Sequence, residues 1–373
     1  MSQSDFPLRP SKAPTWVHCH GAPKLSEGMP DWVDDDEDET VREEGTACHW
    51  SAHQNVISGQ RVPVGHMAPN NVPISEEMHD AHDMYFSAVR EWGVSQAYFE
   101  LPVICRRISQ FCGGTLDVGA YDPERKTIFV GDLKFGFRFV DVRNNWQLLC
   151  YAVGLQDYFG IASDVDLWFD FLIVQPRSYH REGPVRRWKV HATEIRPLIN
   201  QLTNAASLAM SHNPSCYVNN GCNRCPGRSR CVTLQNAALG ALEDSHLATP
   251  HDLPFLAAED ELRRLRAARA YIEARITGLE QQVTYGMRKG SASRHFALEQ
   301  EAGRLIWKEG AEAIISNIAK LYGVEINTNK IITPTQAMKK LPPAFVAQHA
   351  HRPMGGVKLV NIESSKVGRK LGK

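Results

Sequence analysis

Gly114-Thr115-Leu116-Asp117, Thr127-Ile128-Phe129-Val130-Gly131-Asp132-Leu133-Lys134-Phe135 and Gln147-Leu148-Leu149-Cys150-Tyr151 follow one another in the chain, and their order decides the fold. The middle stretch is apolar and rich in strand-forming residues until two charges appear two residues apart. Side chains alternate across a strand, so Asp132 and Lys134 share a face. Asp117 ends an earlier strand-like run after Gly113-Gly114, and Tyr121-Asp122-Pro123-Glu124-Arg125 has the composition of a turn. The two runs are therefore expected to fold back as an antiparallel hairpin, bringing two carboxylates and one ammonium together at a sheet edge. Gln147 and Tyr151 lie four apart in a segment that reads as a helix through Trp146, Leu149, Cys150 and Val153, so they share a helical face.

Two converging carboxylates make a hard oxygen site suited to Mg²⁺ or Mn²⁺. A lysine beside them can orient or deprotonate water and stabilise charge on a phosphate. That set points to phosphodiester hydrolysis. Asp-x-Lys alone reads equally as a hairpin ion pair of little energetic consequence; the ordered series of Gly-x-x-Asp, Asp-x-Lys on an apolar strand and Gln-x-x-x-Tyr on a helix is far more specific.

On these residues the chain resembles the PD-(D/E)XK nucleases. Within them it is most similar to the RecB-like group, which includes the AddB-type and CRISPR-associated RecB-like exonucleases, and to a mostly phage-borne family of such proteins. The resemblance covers about residues 10 to 235 and implies an α/β fold, a mixed sheet flanked by helices. It also implies a histidine ligand in a Gly-x-x-x-His motif, which Gly45-Thr46-Ala47-Cys48-His49 supplies; the alternative is an ordinary helix histidine, one of fifteen in the chain. On this reading Asp117, Asp132 and His49, with the Leu133 carbonyl, bind Mg²⁺ or Mn²⁺. Lys134 activates or positions water, and Gln147 and Tyr151 orient Lys134 or the scissile phosphate. Glu100 is read as a strand-edge acid in preference to a second-metal ligand.

Cys222, Cys225 and Cys231 form a C-x2-C-x5-C spacing that suits a metal or cluster site. RecB-like nucleases with an iron–sulfur cluster place such a triplet after the core and a lone cysteine before it. The resemblance assigns that lone position to Cys19, in Trp16-Val17-His18-Cys19-His20-Gly21. Four thiolates would then hold a [4Fe–4S] cluster. The link closes a loop of about two hundred residues, for which chain-entropy models give about 5 kcal/mol, so its first role is structural. Cys216 is the alternative fourth ligand, and Zn²⁺ the alternative metal. Cys105, Cys112 and Cys150 lie in apolar runs and read as core.

The 373 residues allow two domains, and 43% hydrophobic content suffices for a core. The expected division is a nuclease domain with the cysteine cluster over 1–240 and a mainly helical appendix over 250–373. The sequence has no stretch of about 20 apolar residues and its start lacks signal-peptide character, so a cytoplasmic protein with no membrane contact is expected. Nine cysteines at metal-like spacing fit a reducing compartment. DNA is the expected substrate, with a recombination or replication protein as a further partner. Net charge is zero, so nucleic-acid contact must come from local patches. Candidates are Arg106 and Arg107, Arg138 and Arg143, Arg186-Arg187-Trp188-Lys189, and the tail cations Lys366, Arg369, Lys370 and Lys373. The acidic run Asp34 to Glu39 reads as an exposed link.

Helices are expected over Ser75 to Trp92, Ile195 to Met210 and Glu259 to Glu280. Strands are expected over Ala97 to Arg106, Gly114 to Ala120, Thr127 to Phe135, Leu167 to Val174 and Trp188 to Thr193. The appendix should hold a short strand at Arg304 to Trp307, a helix at Ile318 to Tyr322 and a proline-broken stretch at Thr333-Pro334-Thr335. Two other function classes fit the same residues: a DNA-end or single-strand binding protein on a nuclease scaffold, and a zinc-knuckle nucleic-acid adaptor using Cys216, Cys222, Cys225 and Cys231.

Overall fold

The computed structural model describes residues 6–29, 39–243, 254–302, 305–308, 310–324, 333–338, 340–352 and 354–361. The chain divides into two compact units, Met1–Gly278 and Leu279–Lys373. The first contains α1 (Ala13–Trp16), α2 (Ala22–Ser26), α3 (Glu39–Ser58), α4 (Glu76–Arg90), α5 (Trp146–Tyr158), α6 (Ala192–Ala209) and α7 (Val232–Glu243). Its five strands are β1 (Tyr98–Ile104), β2 (Gly113–Asp122), β3 (Thr127–Leu133), β4 (Trp168–Val174) and β5 (Val185–His191), and they form one sheet in that order. All neighbouring strands are antiparallel except β3 and β4, which are parallel because α5 crosses between them. The architecture is a mixed α/β sheet flanked by helices.

Each face of the sheet buries its own core. α5, α6 and α1 cover one face around Leu148, Leu155, Ile195, Leu202 and Trp16. α3 and α4 cover the other around Cys48, Met78, Tyr85 and Val89. β3 lies between them and is buried along its whole length, so its run of apolar residues faces helices on both sides. α4 starts where Ser75 Oγ accepts the Met78 N–H at 3.2 Å, and its Met78, Ala81, Tyr85 and Val89 are buried as the helical spacing predicts, with Trp92 buried just beyond its end. The turn at Asp122 is closed by Asp122 Oδ1 accepting the Arg125 N–H at 2.9 Å. The hairpin forms as expected, but β2 and β3 are inner strands, so Asp117, midway along β2, and Asp132, near the end of β3, are not at a sheet edge.

The regular alternation of faces breaks in β1 and β2. Phe99 packs into the α3/α4 core, whereas Leu101 packs against the α5/α6 core. Leu116 and Val118 are divided between the same two cores. Residues two apart on an undistorted strand would share a face. The residue between each pair, Glu100 and Asp117, therefore sits where its strand changes sides. Glu100 marks this with φ +47°, in the left-handed region that side chains rarely adopt.

β5 begins three residues earlier than the sequence suggests, and α8 (Phe255–Arg288) extends beyond both expected ends. The division between units falls inside α8, later than the expected break at 240–250. The reason is local: Arg275 Nη1 donates to the Ser229 carbonyl at 2.6 Å, and Gly278 packs against Arg228, so the first part of α8 belongs to the first unit.

The second unit is more mixed than the helical appendix expected. β6 (Phe296–Ala302) pairs with β9 (Met354–Asn361), and β7 (Ile306–Trp307) with β8 (Ala350–His351). α9 (Ala311–Leu321), α10 (Pro334–Ala337) and α11 (Pro343–His349) share a small core with Ile315, Ala319, Leu341 and Val346. Thr333-Pro334 starts a helix where a break was expected, because Thr333 Oγ1 accepts the Gln336 N–H and proline fits the first turn. Asp34 to Asp38 and the four tail cations lie outside the described residues.

Gly131 permits a close approach within the sheet. A Cβ there would lie 2.6 Å from Val118 Cγ1 and 3.1 Å from Trp92 Cη2. Gly131→Ala is expected to lower stability by about 1–3 kcal/mol, measured by thermal or urea unfolding.

Candidate metal centre and cysteine cluster

The pairs Phe99↔Val118 and Leu101↔Leu116 set Glu100 opposite Asp117, and Val118↔Gly131 carries Asp117 next to Asp132. Three acids from three neighbouring strands thus lie along one line across the sheet. α3 brings His49 to the same line, with Nδ1 3.6 Å from Asp117 Oδ2 and 4.0 Å from Glu100 Oε1. Ligand atoms of His49, Glu100 and Asp117 all lie within 4.8 Å of one another, a spacing that one cation can bridge. Asp117 Oδ2 also accepts the Leu133 N–H at 2.8 Å. Leu133, His53 and Tyr85 help line the small cleft that these residues share.

On the other side of the line, Lys134 Nζ lies 3.1 Å from Asp132 Oδ1 and donates to Gln147 Oε1 at 3.2 Å. Gln147 Nε2 donates to the same Asp132 oxygen at 2.9 Å. Gln147 is held there because Asn145 caps α5, its Oδ1 accepting the Gln147 and Leu148 N–H groups at 3.0 and 3.2 Å. Tyr151, one turn further, is turned to the backbone: its hydroxyl donates to the Thr115 carbonyl at 2.7 Å.

Two devices fix α3, and with it His49. Buried His82 of α4 places Nε2 3.0 Å from the Cys48 carbonyl oxygen, next to His49 in sequence. Burial pushes the His82 imidazole down to about 4, so it is neutral at physiological pH. Arg177 reaches Glu44 of α3 and Glu77 of α4 while its guanidinium sits 3.8 Å above the Phe135 ring.

The structure thus brings His49, Asp117, Asp132, Lys134 and Gln147 together, and seats Tyr151 as a support for β2. It revises Glu100, read as a strand-edge acid, into the three-residue donor group. The signal was available: Tyr98-Phe99-Glu100-Leu101 places one acid inside an apolar strand, the same anomaly that singled out Asp132. Several cations expected to meet nucleic acid are used within the fold. Arg107 pairs with Asp157 at 2.6 Å, and buried Arg186 donates to Gln175 Oε1 at 2.7 Å. Arg187 pairs with Glu91 at 3.1 Å. Arg106, Arg138 and Arg143 remain exposed.

Burial, then repulsion from Asp117, pushes the Glu100 carboxyl up to about 7. Burial likewise pushes Asp132 up to about 6, against the pull of Lys134. Both shifts express carboxylates held out of water, with repulsion from Asp117 added. A carboxyl raised in the fold destabilises it increasingly as pH climbs from the ordinary value near 4.5 through the raised one. Glu100→Gln is therefore expected to raise the melting temperature of metal-free protein at pH 8 and leave it nearly unchanged at pH 4. Mn²⁺ is expected to stabilise the wild type more than this variant in the same melting experiment.

The cysteines assemble separately. Cys19, between α1 and α2, lines one pocket with Cys222, Cys225 and Cys231, together with Leu25, Val218 and Arg228. Backbone N–H groups approach three of the sulfurs at 3.4 Å: Tyr217 to Cys19, Asn219 to Cys222 and Leu234 to Cys231. Cys216 lies among them, its sulfur against Gly21 and its thiol hydrogen-bonded to Cys19 and Cys231. Burial pushes the Cys225 and Cys216 thiols up to about 12. Such thiols become thiolates only when a cation takes up their charge. Four sulfurs facing one cavity, N–H groups aimed at sulfur and the fully buried Arg228 guanidinium suit an anionic metal–thiolate group.

Fold and sites define a mixed α/β protein with a carboxylate–histidine group suited to a hard divalent ion and a separate four-thiol pocket. The family described as "Protein of unknown function (DUF2800)" matches residues 7–363, and the chain belongs to that family. The match runs through both units. Among the described residues no helix is long and apolar enough to cross a membrane.

Proposed function

We propose that this protein is a metal-dependent deoxyribonuclease of the PD-(D/E)XK, RecB-like kind, acting in phage or bacterial DNA recombination, replication or repair in the cytoplasm. One observation carries the reading. The Asp132, Lys134 and Gln147 triangle lies against the His49, Glu100 and Asp117 donor group, so an ammonium and a cation site adjoin the same line of acids.

His49, Glu100 and Asp117 would hold Mg²⁺ or Mn²⁺, with Asp132 as the neighbouring anionic group. A bound divalent ion would supply charge to phosphate oxygens and favour ionisation of water. Lys134, steered by Asp132 and Gln147, presents an ammonium that positions water or neutralises developing phosphate charge. The Leu133 N–H holds Asp117 in place. Tyr151 positions β2 through Thr115. Exonuclease action is favoured by the RecB-like resemblance. Cys19, Cys222, Cys225 and Cys231 would hold a [4Fe–4S] cluster, with iron placed ahead of Zn²⁺, and Cys19 ahead of Cys216, on the same resemblance.

End-labelled linear duplex, linear single-stranded and covalently closed circular DNA, each with Mg²⁺ or Mn²⁺ and anaerobically purified protein, test the reading. Loss of the linear substrates alone is expected. Lys134→Ala should lower the rate by at least about a hundredfold with an unchanged circular dichroism spectrum. An inactive, cluster-replete wild type would replace hydrolysis with the DNA-binding reading. For the cysteines, Cys222→Ser is expected to reduce bound iron, measured by elemental analysis, and to lower the melting temperature; zinc in place of iron would reassign the cluster.

A further inference from the structure

The two loops that leave the C-terminal ends of β3 and β4 are locked to each other. Gln175 Nε2 donates to the Gly136 and Arg138 carbonyls, at 2.9 and 2.5 Å, while its Oε1 accepts the Val140 N–H at 3.1 Å. Phe139 stacks on His180 with ring centroids 3.9 Å apart, and the Arg186 guanidinium lies 4.7 Å above Phe139. On this braced frame two aromatic side chains reach solvent. Phe137 is 54% exposed, with the Arg177 guanidinium 5.0 Å from its ring centroid, and Tyr179 is 97% exposed. Rings held at the surface by braced backbone meet a ligand with little ordering cost.

Position and charge identify that ligand. Phe137 follows Lys134 by three residues, so their Cα atoms lie within about 11 Å. Tyr179 follows Val174, which pairs with Leu133 at the end of β3. Both rings therefore stand on loops that leave the strand ends next to the candidate metal centre. Arg138 and Arg181, each within two residues of an aromatic, are exposed. Asp141 and Glu182 are exposed on the same loops, Asp141 Oδ1 accepting the Arg143 N–H at 2.9 Å. Aromatic rings flanked by cations match a polymer with flat bases and anionic phosphates. Duplex DNA keeps its base faces stacked inside the helix, out of reach of these rings.

We propose that Phe137 and Tyr179, with Arg138 and Arg181, form a stacking platform for unpaired nucleotides of single-stranded DNA entering the site. This deepens the nuclease reading and rests on it for the direction of the strand. Two rigid rings on neighbouring loops stack on bases of any sequence, and the arginines hold the adjoining phosphates. The substrate class selected is a single strand or the frayed end of a duplex.

The test separates binding from cleavage. Full-length protein in EDTA is titrated into a fluorescein-labelled thymidine 15-mer, an abasic 15-mer of the same phosphate count, and a blunt duplex, with anisotropy as the readout. Wild type is expected to bind the thymidine oligomer at least about tenfold tighter than the abasic one. Phe137→Ala and Tyr179→Ala should each remove about tenfold of that preference and leave abasic binding unchanged, whereas Phe137→Trp and Tyr179→Phe should keep it. Both truncated residues are exposed, and melting temperatures verify that the variants fold. Equal affinity for the two oligomers, or unaltered binding by both alanine variants, overturns the platform, including the case in which the loops serve a protein partner. Base-dependent binding without metal-dependent cleavage would keep the platform and remove the hydrolytic reading; cleavage with no base dependence would do the reverse.

Discussion

Mutual repulsion among Glu100, Asp117 and Asp132 is the constraint around which the first unit is arranged. Three carboxylates on three adjacent strands cannot all be charged in a half-buried setting without compensation. The compensating groups come from every neighbouring element: His49 from α3, the Leu133 N–H from β3, Lys134 from the strand end and Gln147 from the capped start of α5. Even so, two of the three carboxyls remain above their ordinary range. A fold optimised for stability alone would replace such a line with apolar residues. Its retention is the physical argument for a cation at this place.

The break in strand alternation explains how helices on opposite faces serve one site. An undistorted sheet would separate α3 from α5 by its own thickness. With β1 and β2 changing sides at Glu100 and Asp117, the line of acids meets His49 of α3 at Glu100 and Asp117 and Gln147 of α5 at Asp132. The left-handed backbone at Glu100 is the local cost of that change. His82 and Arg177 then hold α3 beside the acids.

Much of this was legible in the sequence, for definite reasons. The apolar run into Asp132 marked a strand, though not its inner position in the sheet, and the spacing of Met78, Ala81, Tyr85 and Val89 marked α4. The Asp122 turn fixed the hairpin and so the meeting of Asp117 with Asp132. The place of Glu100 beside Asp117 was not legible because it depends on register with β2, which a single strand does not reveal. Tyr151 shares a helical face with Gln147, yet spacing could not tell that its hydroxyl finds a carbonyl first. The Arg186-Arg187 pair looked like a basic patch because charge is visible in sequence and partners are not. Gly45 shows the converse: a Cβ there would meet nothing, so no steric demand underlies its place in the Gly-x-x-x-His motif.

Each strand of the main sheet lies beside the strand that precedes it in the chain. During synthesis the sheet can therefore grow by addition, each new strand finding its partner already in place. The cysteine pocket obeys a different clock. Cys19 emerges before any strand, and the Tyr217 N–H that approaches its sulfur comes 198 residues later. The Cys19 sulfur must wait for that partner while the whole sheet is made. Closure of the pocket thus follows the sheet in the order of synthesis, so that the turn ahead of the first strand is fastened by segments that come after the last one.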